Sequence, residues 1–386
     1  MPTKTAFIQH LRSTFKGLEN QPLETLISEN LISPFTIGLP KSILKEAQDG
    51  IAELFRLRES KKYQESYAEE LAALGIKDPG NKAICMSYDF HVDSENHLKL
   101  IEVNTNASFL ALGYLMYQSK RVPLPVPDFA FNEFKKDIET ELELFGKSGS
   151  PKSIAIIDEA PEQQRLYAEF LVYRELFAGW GWNPQVLDYR QIDPAKFDFI
   201  YNRYTDFFLN NPESAALKTA FLAKESCFSP NPHEYVLLAD KQRMIDWSLP
   251  TNLEKWDVCP EGSAIINSIV PPSLTLDLAN KDEIWAQRKN YFFKPKRAYG
   301  SKQSYKGASV SRKVFEEIAG QDFIAQTYVA PSEQVFTTPD GDQSFKFDLR
   351  CYAYQGRLQL IVARLYQGQV TNLRTPLGGF GCVEFY

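Results

Sequence analysis

Between residues 153 and 201 short apolar runs alternate with a helical segment, and this rhythm constrains the chain more than any other feature. SIAII at 153–157 reads as a buried strand. Residues 162–180 read as a long helix, and 185–187 and 197–201 as two further strands. Strands alternating with helices close into a parallel sheet covered by helices, here a small Rossmann-like unit. No GxGxxG follows the first strand, so a dinucleotide site is not expected there. KSGSP at 147–151 marks a linker in front of the unit.

The flanks read differently. Residues 1–80 look helical. Segment 42–58 carries Ile43, Leu44, Ala47, Ile51, Leu54 and Phe55 at helical spacing behind Ser42, an expected N-cap. A second helical segment, 62–74, stops at Gly75. AICMSYDFHVD and LKLIEVN then read as a hairpin across the polar turn 94–96. VPLPVP at 122–127 is too proline-rich for a helix, and a helix over 128–145 ends at Gly146. Beyond the central unit, 235–238 reads as a short strand and 241–247 as a helix. Residues 291–294, 323–329, 345–354 and 358–366 read as strands, the last two joined at Gln355 and Gly356. The 386 residues therefore divide into three expected blocks, 1–150, 151–235 and 236–386.

Charge and cysteine use narrow the function classes. With 43 basic and 49 acidic side chains the net charge is −6, which disfavours nonspecific nucleic-acid binding. No apolar stretch is long enough for a membrane span. Five scattered cysteines argue against a disulfide framework or a cysteine zinc site and for a reducing cytoplasm. The four histidines form no HExxH pair, so a histidine metal centre is not expected.

Three constellations carry chemistry. Glu102 and Asn104 lie two apart on one strand face, and a hairpin brings Asp89 beside them. Two carboxylates and an amide oxygen form a hard ligand set suited to Mg²⁺ shared with substrate phosphates, although an isolated acid at a strand end is ordinarily just solvated. KPKRAYGSKQSYKG (294–307) holds Lys294, Lys296, Arg297, Lys302 and Lys306 with no acid, and Gly300 and Gly307 permit close backbone approach. It reads as a phosphate loop in preference to a solvated basic one. Arg350, Arg364, Asn372 and Arg374 fall on successive strands and turns, where guanidinium groups bind phosphate or carboxylate bidentately or serve as ordinary strand-end charges.

Taken in order, these residues resemble the ATP-grasp superfamily in circularly permuted form. DKQRM (240–244) resembles the first lysine motif, with Lys241 on phosphate, and FFKP (292–295) the second, with Lys294. YGSKQ resembles the flexible glycine loop, with Gly300, Ser301, Lys302 and Gln303. IAQTYV resembles the hinge that grips adenine, with Gln326, Thr327, Tyr328 and Val329. DLRCYAY and ARLYQGQVTNLR resemble the segment that carries the catalytic arginines and asparagine. The magnesium segment expected after the C-terminal glycines stands instead near the N-terminus, as YDFHVDSENHLKLIEVNTNAS. This arrangement is similar to eukaryotic-type glutathione synthetases and glutathionylspermidine synthetases, and Ser108 matches their substrate-loop serine. Ser87 stands where that pattern has arginine, and Ala298 where its glycine loop has an acid.

The resemblance implies an α/β (α+β) fold: a permuted ATP-grasp core, a Rossmann-like pre-ATP-grasp unit and a helical N-terminal region. It implies ATP and Mg²⁺ as cofactors, with the metal on Asp89, Glu102 and Asn104, Asp348 as a further candidate, and Glu333 on ribose. Arg350, Arg364, Asn372 and Arg374 would act on the transferred phosphoryl. The implied activity is ligation of a small-molecule or peptide carboxylate to an amine, in a cytoplasmic protein that binds neither nucleic acid nor membrane and, as in related ligases, forms a homodimer. A nucleotide-holding module without activity and a phosphotransferase on a hydroxylated small molecule are the alternatives.

Overall fold

The structure, a computed structural model, describes residues 3–297 and 303–386. In chain order its strands are β1 (Ile32–Leu39), β2 (Met86–Val92), β3 (Leu98–Asn104), β4 (Ser153–Asp158) and β5 (Asn183–Asp188). Then follow β6 (Phe199–Asn202), β7 (Cys227–Ser229), β8 (Ser273–Leu276), β9 (Tyr291–Pro295) and β10 (Tyr305–Lys306). The last five are β11 (Phe323–Thr327), β12 (Ser332–Thr338), β13 (Gly341–Tyr354), β14 (Arg357–Tyr366) and β15 (Gly379–Phe385). Among the described residues they form three sheets, ordered β1-β15-β14-β13-β2-β3 with β12 also on β13, β10-β9-β11-β8, and β5-β4-β6-β7.

The third sheet is parallel throughout, as its alternating pattern requires. Its covering helix, Tyr167–Gly179, begins later than expected because Pro161–Gln163 makes a separate 3-10 turn. Helix Ala215–Leu222 and β7 extend the unit past the expected elements.

The large sheet joins the two ends of the chain. β13 is fourteen residues long. Its first half pairs with β12 and its second half with β2, on the same edge. The hairpin of β2 and β3 is thereby stitched to strands more than two hundred residues away. β15 runs parallel to β1. Gly379 starts it at φ +93°, and a Cβ there would run into the carbonyls of Asn30 and Leu31, so the glycine-rich C-terminus is what lets the two strands close.

Four local expectations are corrected. Residues 1–80 are not wholly helical, because ISPFTIGL forms β1. Its Pro34 is tolerated since the strand lies at the sheet edge. Ser42 is not an N-cap. The helix Lys41–Glu59 starts directly after Pro40, whose extended backbone (φ −61°, ψ 146°) sets the entry. Segment 62–74 is two helices, Lys61–Ser66 and Ala68–Ala73, broken at Tyr67, although Gly75 does stand just past the end at φ +66°. Tyr235–Ala239 is a π-helical turn after Pro232–Glu234, not a strand. A short, fully buried apolar run such as YVLLA has no periodicity that decides between the two.

Candidate active site

The hairpin carries a β-bulge. Asp89 pairs with Glu102 while Phe90 pairs with Leu100, which leaves Ile101 as the extra residue. Its carbonyl, out of register with the ladder, accepts a hydrogen bond from Lys294 Nζ of β9 at 2.8 Å, and Gln326 Oε1 of β11 accepts a second at 2.8 Å. The early hairpin and the late lysine strand therefore touch. Burial pushes the Lys294 ammonium down to about 8, against the pull of Glu102. Lys241, at the start of helix Gln242–Trp247, brings its Nζ to 3.9 Å from the Glu102 carboxylate.

Alternation along β13 and β14 sends Asp348, Arg350 and Arg364 to the same face. There they meet Asp89, which is 1% exposed. Arg350 grips the Asp89 carboxylate with Nε and Nη2 at 2.9 and 2.7 Å, and Arg364 Nη2 adds a bond at 2.9 Å. Ser87 Oγ and Asn104 Nδ2 donate at 3.1 and 3.2 Å. Burial alone would raise the Asp89 pKa, but Arg350 and Arg364 outweigh it and hold the group at about 2. Arg364 also bonds Asp348 at 2.6 Å, and Thr371 donates to the other Asp348 oxygen at 2.5 Å.

This geometry corrects the ligand set read from the sequence. Asp89 carries five hydrogen bonds, more than its lone pairs comfortably serve. It organises two arginines and has no free oxygen for a cation. Glu102 and Asn104 keep theirs: Glu102 is 30% exposed, and Asn104 spends its nitrogen on Asp89. Magnesium that enters with nucleotide needs only one or two protein oxygens besides the phosphates, so these two fit it.

A cavity of about 350 Å³ connects the pieces. Asp89, Glu102, Asn104, Ser108, Lys241, Lys294, Arg350, Arg364 and Asn372 all line it, together with the hinge residues Gln326, Thr327, Tyr328 and Val329. Within the hinge, the Thr327 and Tyr328 amides already donate to Pro272 and Asn290, at 2.8 and 2.7 Å. The Val329 carbonyl accepts from His91 Nδ1 at 2.8 Å, and burial keeps that ring neutral by lowering its pKa.

Other expected residues lie elsewhere or act differently. Glu333 is exposed on β12, bonded by Ser344 at 2.9 Å, and does not line the cavity. Alternation along that edge strand turns it to solvent. Arg374 is exposed and also outside the cavity. Asn372 spends its side chain on its own loop: its oxygen accepts from Arg374, Thr375 N and Thr375 Oγ1, and its nitrogen donates to Gln367 and Val370 carbonyls. Gln303 is exposed beside the cavity, where Ser304 contributes instead. Gly307 serves packing, since a Cβ there would strike the Arg288 carbonyl. Ala298, Gly300, Ser301 and Lys302 lie outside the described residues.

Sequence reasoning missed His91, Ile101, Arg165, Phe292 and Tyr366, which also line the cavity. His91 was within reach, being two residues after Asp89 on one strand face. Arg165 had no local signal, because it arrives from the Rossmann-like unit.

Ser108 sits where the cavity meets a second one of about 320 Å³, the two sharing Asn104, Ser108 and Arg350. Its carbonyl accepts from Tyr352 Oη at 2.5 Å. The next residues open helix Leu110–Lys120 with their amides on the Glu169 carboxylate, Phe109 at 2.7 Å and Ala111 at 3.1 Å.

No protein-family model matches the chain, and no curated protein matches its sequence. Among solved structures the chain is similar to a glutathione synthetase-like effector from Globodera pallida in its apo form. The TM-score is 0.54 at 11% identity, over 92% of this chain and 90% of that one. Looser likenesses run to the D-cycloserine synthetase DcsG (TM-score 0.34, 12% identity, 54% of this chain and 90% of that one). Another is to the ATP-grasp ligase PsnB with a minimal precursor, Mg and ADP (TM-score 0.28, 13% identity, 60% of this chain and 88% of that one). The chain thus has a mixed α/β fold, in the arrangement of the glutathione synthetase-like effector.

Proposed function

We propose that the protein is an ATP- and Mg²⁺-dependent carboxylate–amine ligase, glutathione synthetase-like or glutathionylspermidine synthetase-like, built on a circularly permuted ATP-grasp core. One observation carries this reading: Lys294 of β9 is held by the bulged Ile101 carbonyl, in a cavity that also contains Lys241, Glu102 and Asn104. Residues from 1–150 complete a sheet whose other strands come from 236–386. That supports an organisation in which 1–150 finishes the nucleotide core, 151–235 frames the substrate and 236–386 supplies the nucleotide-binding domain.

In this reading Mg·ATP enters as substrate. The acid's carboxylate attacks the γ-phosphorus, ADP leaves, and an amine displaces phosphate from the acyl phosphate. The chain's work is positional and electrostatic. Lys241 and Lys294 bind the polyphosphate. Glu102 and Asn104 receive the cation that arrives with it. Ile101, Phe292 and Tyr328 offer apolar contact to the base, and Val329 follows the two hinge amides already spent on Pro272 and Asn290. Arg364 is presented to the transferred phosphoryl, and Arg350, on the wall shared by both cavities, to the acid. Both are locked in place by Asp89.

Amine-dependent ADP release tests the reading. Glu102→Gln should abolish turnover with an unchanged melting temperature, and undiminished activity in that variant refutes the cation assignment. A product heavier by a phosphoryl group, not by an amine, would make the protein a phosphotransferase.

A further inference from the structure

A nucleotide in the first cavity brings a sugar whose hydroxyls need partners once water is excluded. Glu333, expected on ribose, is exposed and outside the cavity. The Asp348 carboxylate does line it, but one oxygen is bonded to Arg364 and the other to Thr371. His91 supplies an acceptor. It stands two residues after Asp89 on β2, so both side chains leave the same face of the large sheet. The register that sets Leu349 against Phe90 brings Asp348 next to it.

The neighbours of His91 fix its place along a nucleotide. On one side Nδ1 lies 2.8 Å from the carbonyl of Val329, the last hinge residue. On the other the ring feels Asp348, Lys294 and Arg364, the charges at the phosphate end. Base, sugar and phosphates follow one another in a nucleotide, so a group that spans from the hinge to the phosphate charges faces the sugar. The tautomer is fixed as well. A carbonyl only accepts, so Nδ1 carries the proton, and in the neutral ring Nε2 is left as an acceptor. Among the described residues Nε2 has no hydrogen-bond partner, and the ring lines the cavity. The ring is half-buried and tied to a hinge that is itself tied, through the Thr327 and Tyr328 amides, to Pro272 and Asn290. An acceptor held this way loses little freedom when a ligand arrives.

We infer that His91 Nε2 accepts a hydrogen bond from a ribose hydroxyl of the bound nucleotide and makes the site select ribonucleotides over deoxyribonucleotides. The inference rests on the ligase reading for a nucleotide whose base lies at the hinge. It assigns His91 two bonds with separate roles: Nδ1 holds the hinge carbonyl, and Nε2 reads the sugar.

Calorimetric titration of the full chain with Mg·ADP, Mg·2′-deoxy-ADP, Mg·3′-deoxy-ADP and Mg·IDP tests this. At least one deoxynucleotide should bind about three- to tenfold more weakly than ADP, the worth of one neutral hydrogen bond. Two substitutions separate the ring nitrogens. His91→Asn keeps an amide N–H for the Val329 carbonyl but has no atom at the Nε2 position, and should erase the difference between ADP and the deoxynucleotides. His91→Gln reaches the Nε2 position with its amide oxygen and should preserve that difference. Deoxynucleotides that bind the unmodified chain as tightly as ADP, or a ribose preference that survives His91→Asn, overturn the inference and leave the ligase reading standing. If His91→Asn instead loses only the preference for ADP over IDP, the ring reads the base, and the inference is equally overturned. A chain that binds none of the four nucleotides refutes the nucleotide site itself, and the inference with it.

Discussion

The two cavities that meet at Asn104, Ser108 and Arg350 handle charge in opposite ways. In the first, the acidic and arginine side chains saturate one another: Asp89 takes five hydrogen bonds, and Asp348 is shared between Arg364 and Thr371. Beside them stand Lys241 and Lys294, with the Glu102 carboxylate 3.9 Å from Lys241. In the second, Asp158 and Arg203 share a cavity without an ion pair. A saturated network is rigid and fixes positions. An unsatisfied one is costly until a ligand completes it. The contrast separates side chains already locked in position, Arg350 and Arg364 among them, from side chains that have no such lock.

The largest effect should come from breaking the rigid side. Asp89→Asn leaves Arg350 and Arg364 buried without their shared counter-charge and should cost about 3–5 kcal/mol in stability. Urea unfolding reads this directly. A loss under about 1 kcal/mol would mean the arginines do not depend on Asp89.

Next in size is the nucleotide lysine. Lys294→Met should weaken Mg·AMP-PNP binding roughly ten- to hundredfold, the range of a charged hydrogen bond, about 1.5–3 kcal/mol. The same lysine gives a pH signature. Burial holds it at about 8 in the free protein, and polyphosphate pulls it back up. Nucleotide binding above about pH 8 should therefore take up a proton, and affinity should fall as pH rises further. Calorimetry in buffers of different ionisation enthalpy measures the uptake, and none in the unmodified chain would place the phosphates away from Lys294.

The smallest effect concerns the wall between the cavities. Tyr352→Phe removes the bond to the Ser108 carbonyl and should cost about 1 kcal/mol in stability. If Ser108 borders the acid substrate, the variant should also raise KM for the acid more than it lowers kcat.

Legibility in the sequence followed the range of the interactions. The Rossmann-like strands and the β2–β3 hairpin were readable because neighbours in sequence pair with one another. Glu102, Asn104, Lys294 and Lys241 stood out because their motifs keep short spacing, and all four line one cavity. β1 was not, since the partner that makes ISPFTIGL a strand is β15 at the other end of the chain. The role of Asp89 was misread for a similar reason: its charge partners sit 261 and 275 residues away, and a carboxylate beside ExN looks like a ligand until they are known.

The central claim is that an early hairpin and a late lysine strand build one nucleotide site. A crystal structure with Mg²⁺ and AMP-PNP tests it most directly. The triphosphate should lie between Lys241 and Lys294 on one side and Asn104 on the other, with the cation on Glu102 and Asn104. Nucleotide bound elsewhere, with Lys294 still hydrogen-bonded only to Ile101 and Gln326, would contradict it.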